Sequence, residues 1–385
     1  MSGTEQARPA SAAPPGAPAG TRAVLTVSLS KIAANFRFVE SRLSGARMGC
    51  VVKADAYGLG LAAIAPLLHG LGCRDFFVAG AEEGVALRRL AADARIYVLN
   101  GPWAEPLGEF ARYDLIPVLN DLGQIALWAS FVRDNWPLPA AIHIDTGMSR
   151  LGLPPEEVET LANEPERLNG VTLACVVSHL ACADQPGNPI NARQLADFRA
   201  ARARLPASPA SLANSAGVFL GPEYHFDMVR AGGALYGLAP MESAPNPLAQ
   251  VLRLEAPILQ VRDVDSPMTV GYGAGFRVAR RGRIATIPVG YADGYLRSLS
   301  NRGSAFLGGI RVPVVGRVSM DLITLDVSDV PAALAHPGAL VELIGEHHTV
   351  DDLAGEAGTI GHDILTGFGP RILRRYEGDL ETAGG

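Results

Sequence analysis

Between Arg47 and Arg230 short apolar runs alternate with longer stretches of helical period, and this alternation limits the possible folds more than any other feature. Short apolar runs separated by amphipathic segments are the pattern of repeated βα units around a parallel sheet. Eight runs can be placed, at 48–52, 76–79, 96–99, 116–119, 141–144, 173–177, 211–213 and 226–229. Eight is the number that closes a (β/α)8 barrel, so the sequence predicts an α/β fold with an N-terminal TIM-like barrel over residues 23–254. Glu82 and Glu83 stand where a helix should open after the second run, and Pro154, Pro155, Glu156 and Glu157 after the fifth. An earlier strand at 24–29 is free to pair with the C-terminal domain, and Ser30 is a candidate N-cap for a helix running to Leu43. Beyond Leu254 the texture changes to short β-rich runs broken by Gly, Pro and Asp, at 283–289, 310–315, 322–327 and 340–344. Residues 255–385 are therefore predicted to form a mostly β C-terminal domain. A chain of 385 residues has room for both, because single cores stop growing near 250–300 residues.

The net charge of −6 argues against a nucleic-acid partner, which needs a basic patch to displace counterions from phosphates. No segment approaches 18 uninterrupted apolar residues, so no membrane span is expected. The four cysteines, Cys50, Cys73, Cys175 and Cys182, form neither a disulfide framework nor a C-x-x-C metal pair, and they predict reduced thiols in a cytoplasmic protein without a metal site. Residues 1–22, rich in Ala and Pro and lacking the basic start and apolar run of a signal peptide, read as a disordered tail.

The cation usage is more pointed. Of 33 lysines and arginines, only Lys31 and Lys53 are lysines. A chain that uses arginine almost everywhere has a reason to keep lysine where a guanidinium cannot act: an amine can lose its proton and add to a carbonyl. Lys53 directly follows the first barrel run. If the barrel forms, the residues just beyond each strand share one face, and they are Lys53, Ala81 and Glu82, Asn100, Asn120, Asp145, His179, Asn214 and Ser215, and Arg230. Any one of these could be a solvated turn or a helix cap; together they form an unusual set for packing alone. Nucleophilic work requires the Lys53 amine to fall from about 10.4 toward about 7–8, which burial and a neighbouring cation such as Arg150 or Arg230 can supply.

At these positions the chain resembles the alanine racemase family. The run Val51-Val52-Lys53-Ala54-Asp55-Ala56-Tyr57-Gly58 is similar to that family's pyridoxal phosphate attachment signature. Asp145-Thr146-Gly147-Met148-Ser149-Arg150-Leu151-Gly152, Ser178-His179-Leu180-Ala181, Asn214-Ser215 and Arg230-Ala231-Gly232 match in turn. So do Gly271-Tyr272-Gly273, Val289-Gly290-Tyr291-Ala292-Asp293-Gly294-Tyr295 and Gly316-Arg317-Val318-Ser319-Met320-Asp321. Eight motifs in register across both domains make the likeness specific.

The resemblance implies an isomerase that interconverts L-alanine and D-alanine, supplying D-alanine for peptidoglycan. Lys53 then carries pyridoxal 5'-phosphate as a Schiff base and is one of two bases. Tyr272 of the partner subunit is the other, which implies a homodimer with composite sites. It implies further that Arg230 faces the pyridine nitrogen and leaves it unprotonated, and that His179 links Arg230 to Tyr272. Tyr57, Asn214, Ser215, Gly232, Gly233 and Tyr376 hold the cofactor around its phosphate. Arg150 meets the cofactor's phenolic oxygen and the substrate carboxylate, which the backbone amides of Met320 and Asp321 also hold. Two positions depart from the pattern. Where many members carry a carbamylated lysine that steadies the arginine, this chain has His143, which cannot form a carbamate. Arg150 then needs another anion: Asp145, a bound chloride or an acidic neighbour. Gly233 is smaller than the aliphatic residue common there. Competing readings are a racemase for serine or a broader set of amino acids, a fold-related decarboxylase, and a non-catalytic pyridoxal phosphate carrier. The decarboxylase needs an acid where Arg230 stands, and the carrier lacks any counterpart of residues 255–385.

Overall fold

The computed structural model describes residues 22–378 apart from 106, 135, 136 and 243; the tail predicted at 1–22 lies outside the described residues except for Arg22. The chain divides into two compact units, one of residues 29–251 and one combining residues up to Ser28 with 252–377.

The strands, in chain order, are β1 (Val24–Ser28), β2 (Arg47–Val51), β3 (Asp75–Val78), β4 (Arg95–Val98), β5 (Leu115–Leu119), β6 (Leu138–His143), β7 (Val171–Val177), β8 (Ala210–Ser211) and β9 (Met228–Ala231). Strands β2 to β9 are the eight expected runs, and they form one sheet in the order β8-β7-β6-β5-β4-β3-β2-β9, with every pair parallel. The ring closes through backbone bonds from Asp227 N to Ala210 O (3.0 Å) and from Arg230 N to Ala213 O (2.9 Å). Strands buried on both faces need continuous apolar sequence rather than alternation, and β3 (DFFV) and β5 (LIPVL) are buried at every position.

Helices cover the outside where local signals specify them. The helix Pro189–Arg202 opens with Pro189 behind an Asn188 N-cap whose side chain accepts from Ile190 N, and Pro155–Asn163 opens on the expected Pro-Pro-Glu-Glu run. The regular alternation ends after β8. Only 3-10 turns follow it (Ala216–Phe219 and Pro222–Tyr224), and another (Gly233–Tyr236) follows β9. The missing outer helix is supplied from before β2. Helix Leu29–Glu40 buries Asn35, whose amide spans to Ala249 through Nδ2 to Ala249 O and Ala249 N to Oδ1, both 2.8 Å. This helix takes in Ser30 instead of starting behind it as an N-cap, and it stops short of the expected Leu43. It ends where Arg42 N and Leu43 N turn to i−3 acceptors.

The second unit contains β1 with β10 (Leu252–Pro257), β11 (Gln260–Val264), β12 (Thr269–Val270), β13 (Phe276–Arg277), β14 (Gly282–Ile287), β15 (Ser304–Leu307), β16 (Ile310–Pro313), β17 (Ile323–Asp326), β18 (Leu340–Ile344) and β19 (Leu373–Glu377). Its main sheet runs β16-β15-β18-β10-β1-β19, so β1 pairs antiparallel with β10 and parallel with β19. A three-stranded sheet, β11-β14-β17, and the β12-β13 ribbon complete it. Two helices, Val350–Ala357 and Gly361–Gly367, interrupt the β texture; the first starts on a Thr349/Asp352 capping box.

Candidate active site

Lys53 stands two residues beyond the end of β2, half-buried at the C-terminal face of the barrel. Burial, and then the charge of Arg150, pull its amine below the ordinary lysine range, while Glu83 opposes them. The chain that follows does something local propensity disfavours: Ala54, Asp55, Ala56 and Tyr57 all have φ between 53° and 57°. Each such residue costs roughly 1–2 kcal/mol in a left-handed conformation. The turn is held by many bonds: Ala56 N to Val52 O (2.9 Å), Gly58 N to Ala54 O (2.7 Å), Gly60 N to Asp55 O (2.9 Å), Leu61 N to Asp55 Oδ1 (2.7 Å) and Ala54 N to Glu83 Oε1 (2.6 Å). This over-determination turns Tyr57 inward, where burial pushes its phenol up to about 12 and keeps it a hydroxyl donor.

Arg230 is 5 % exposed on β9 and makes no ion pair with a carboxylate among the described residues. One guanidinium nitrogen donates to Ser211 O (2.9 Å) and Ser211 Oγ (2.6 Å), the other to Ser178 O and to His179 Nδ1 (3.4 Å). Its Nε has no hydrogen bond among the described residues. Burial lowers its pKa to about 10, so it remains a cation at neutral pH. His179 is driven well below its ordinary range by burial and by Arg230, so it is neutral and accepts through Nδ1. Gln194, 1 % exposed, links the neighbouring loops by donating to His179 O (3.0 Å) and Thr146 Oγ1 (3.2 Å) and accepting from Ala181 N (2.8 Å). A buried glutamine in mid-helix has no sequence signal, and neither its role nor that of Ser211 was foreseeable.

His143 ends β6, with Nδ1 2.8 Å from Asn120 Oδ1. The Asn120 amide is oriented by donating to Leu99 O (3.0 Å) and Val118 O (2.9 Å), which makes His143 Nδ1 the donor. Burial, and then Arg230, bring the imidazole down to about 4. His143 is thus neutral and does not replace a carbamate's charge. Nor does Asp145 serve as the anion for Arg150: its carboxylate accepts from the amides of Gly147 (2.9 Å), Met148 (2.9 Å) and Ser149 (3.0 Å) and folds its own loop. Arg150 is exposed, without a hydrogen bond or ion pair to its guanidinium among the described residues.

At the adjoining ends of β8 and β9, Ser215 Oγ accepts from Gly232 N (2.9 Å) and Ala234 N (3.2 Å), while Asn214 Oδ1 caps the next turn by accepting from Gly217 N (2.9 Å). A Cβ on Gly232 would collide with Tyr57 Oη, so only glycine lets this backbone and the phenol come together. Strand pairing brings these groups beside Lys53, because β2 lies against β9 with Gly49 opposite Arg230 and Cys50 opposite Ala231. Lys53, Tyr57, Ser215, Arg230, Gly232 and Gly233 therefore meet on contiguous strand ends. The donor set fits pyridoxal phosphate: a half-buried amine, a hydroxyl-lined cradle of amides around a glycine, and a buried cation with a donor to spare.

The remaining expected residues belong to the second unit. Tyr272, 73 % exposed, sits in the 3-10 turn Tyr272–Ala274 between Gly271 (φ 78°) and Gly273 (φ 67°). This turn packs on Gly316 and Arg317, where a Cβ on Gly271 would lie 3.0 Å from Arg317 N. Met320 is exposed, on a turn fixed by Tyr291 N to Ser319 O and Ala292 N to Met320 O, both 3.0 Å. Arg371 holds Asp321 Oδ1 at 2.6 Å and grips the buried Asp293 at both oxygens, 2.8 Å each. Tyr376 lies on β19 opposite Val27.

Comparison with known proteins agrees with this architecture along almost the whole chain. The N-terminal domain of alanine racemase matches residues 27–240 and its C-terminal domain residues 251–376. The alanine racemase of Rhodospirillum rubrum is 51 % identical over 365 residues, covering 94 % of this chain and 98 % of that one. The catabolic alanine racemase of Agrobacterium fabrum is 46 % identical over 359 residues, covering 93 % and 92 %. Among solved structures, the Bartonella henselae alanine racemase with covalently bound pyridoxal phosphate superposes with a TM-score of 0.89 at 39 % identity, covering 92 % of this chain and 99 % of that one. The chain belongs to the alanine racemase family, isomerases that use pyridoxal phosphate.

Proposed function

We infer that this protein interconverts L- and D-alanine by moving the Cα proton with two bases, and that it works as a cytoplasmic homodimer supplying D-alanine for peptidoglycan. The observation that carries this reading is the junction of the Lys53 amine with the hydroxyl and amide cradle at the ends of β2, β8 and β9. Pyridoxal phosphate, when bound, supplies an electron-accepting ring that stabilises negative charge at the amino acid's Cα.

The residues of the chain divide the remaining work. Lys53 holds the cofactor covalently and, with an amine already below the usual lysine range, can take a proton at one face of Cα. Tyr272 serves the other face. Its high exposure in a single chain supports a site completed by a second copy. Tyr57 and Ser215, with the amides of Gly232 and Gly233, hold the phosphate. Asn214 keeps Ser215 in place by capping the turn behind it. Arg230 stays cationic and can only donate, so it would hold the cofactor's ring nitrogen as an unprotonated acceptor. His179, neutral, fixes Arg230 from the side. Arg150 and the amides of Met320 and Asp321 take the substrate carboxylate, the first as a planar fork.

The test is to supply purified protein and cofactor with L-alanine and L-serine separately and to follow D-enantiomer formation, then to map the cofactor by borohydride reduction and peptide analysis. Fast D-alanine formation, slower D-serine formation and a label at Lys53 are expected. Lys53→Ala should be colourless and slower by at least about 10³-fold, since a covalent and proton-transferring group is lost. A yellow Lys53→Ala protein turning over at the normal rate would overturn the reading.

A further inference from the structure

We propose that Glu83 is the positioning residue of Lys53, a carboxylate clasp that joins the ends of β2 and β3 and holds the left-handed turn on which the lysine is mounted. The last rung between these strands is Val52 N to Phe77 O (3.0 Å). Past it, one carboxylate serves both strand ends: Oε1 accepts from Ala54 N at 2.6 Å and Oε2 from Ala79 N at 2.7 Å. Ala54 is the residue after Lys53, and Ala79 the residue after β3.

An ordinary helix cap does not account for this. Glu83 is the third residue of the helix Ala81–Arg88, and a glutamate there normally reaches back to the N-cap amide, here that of Gly80. Glu83 instead reaches one residue further back and across to the turn after β2, 29 positions away. Both bonds are charge-assisted, and together they fix the entry to a turn whose residues would not choose left-handed φ values on their own. The same carboxylate counters Arg150 at the lysine. Among the described residues, the charges felt at the Lys53 amine are those of Arg150, from the loop after β6, and Glu83, and Lys53 in turn acts on His179 after β7. His179 is neutral, so the balance lies between one guanidinium and one carboxylate. Glu83 thereby holds the amine in place and limits how far its proton affinity falls.

The inference rests on Lys53 being the cofactor's attachment point, yet its test needs no cofactor. The full-length protein is treated with trace acetic anhydride across a pH series and digested, with Lys31 as the internal reference, since it is the only other lysine. Glu83→Gln keeps an acceptor oxygen and removes the charge, so the Lys53 acylation midpoint should move to lower pH while that of Lys31 stays fixed. Hydrogen exchange on Glu83→Ala, and on Glu83→Gln should the alanine variant not fold, should show the Ala54 and Ala79 amides exchanging about tenfold faster or more. An unmoved or higher Lys53 midpoint in Glu83→Gln, or unchanged exchange at Ala54 and Ala79, overturns the proposal. Borohydride trapping on the wild type separates the two ideas: a label elsewhere than Lys53 defeats the functional reading, whereas an unmoved Lys53 midpoint with a correct label defeats only the clasp.

Discussion

His143 is neutral in the fold, and its titration has a sign that can be checked. Its folded-state pKa is brought down to about 4 from an ordinary value near 6.5, so below pH 6.5 the unfolded chain binds a proton that the folded one refuses. Stability from this group is therefore complete above about 6.5 and is lost as the pH falls toward 4. The loss is on the order of 3 kcal/mol. His179 is shifted the same way and adds to the same window. In His143→Gln the side chain can still donate to Asn120 but has no proton to take up. Its urea-unfolding free energy should fall less steeply than the wild type's between pH 6.5 and 4; parallel slopes would mean that the imidazole is not held neutral. His143 is thus a hydrogen-bonded neutral donor, and neither it nor Asp145 supplies a negative charge to Arg150.

At the scale of elements, the proposed function rests on two short turns that other parts of the chain hold. One is the left-handed turn after Lys53. The other is the Ser319–Leu322 turn, which lies so close to the Gly290–Gly294 loop that a Cβ on Gly290 would overlap the carbonyls of Ser319 and Met320. Arg371 closes the same arrangement by bridging Asp293 and Asp321. Gly290→Ala should therefore push the Met320 and Asp321 amides aside at a cost of about 1–3 kcal/mol in folding stability. Steady-state kinetics should show KM for alanine rising more than kcat falls, because the proposed carboxylate contact is displaced while Lys53 is untouched. An unchanged KM would separate this turn from substrate binding. Most of these elements were legible from sequence. All eight barrel runs sit within a few residues of observed strands, because burial on both faces demands apolar residues whatever lies around them. The φ values at 54–57 were not legible, since Ala-Asp-Ala-Tyr has no preference for that conformation.

For the whole molecule, the two proposed bases, Lys53 and Tyr272, belong to different units, and Tyr272 is on an exposed turn whose unit also exposes Tyr291, Met320 and Leu322. An exposed Tyr272 is what a site completed by another chain requires, and exposed apolar side chains suit a contact face. If that contact is a second copy, with Lys53 of one chain working opposite Tyr272 of the other, two inactive variants should complement each other. Lys53→Ala and Tyr272→Phe, each nearly inactive alone, should on mixing and subunit exchange recover about a quarter of wild-type activity, because half the dimers are mixed and each has one intact site. Activity that stays at the level of the separate variants after exchange, checked by tagged co-purification, would place both bases in one chain.

The order of the apolar runs, the retention of a lysine in a chain of arginines and the spacing of the motifs decided the barrel, the β-rich region after it and the candidate nucleophile. These are local properties, written in periodicity and residue type. Tertiary structure alone decided that β1 joins the C-terminal unit, that a glutamate 30 residues from Lys53 fastens its turn, that Asn120 sets the tautomer of His143, and that Asp145 bonds to its own loop instead of Arg150. Each of those is a hydrogen bond or strand pairing whose partner was one of many polar groups of suitable chemistry. Only the folded chain, by bringing one of them within about 3 Å, selects it.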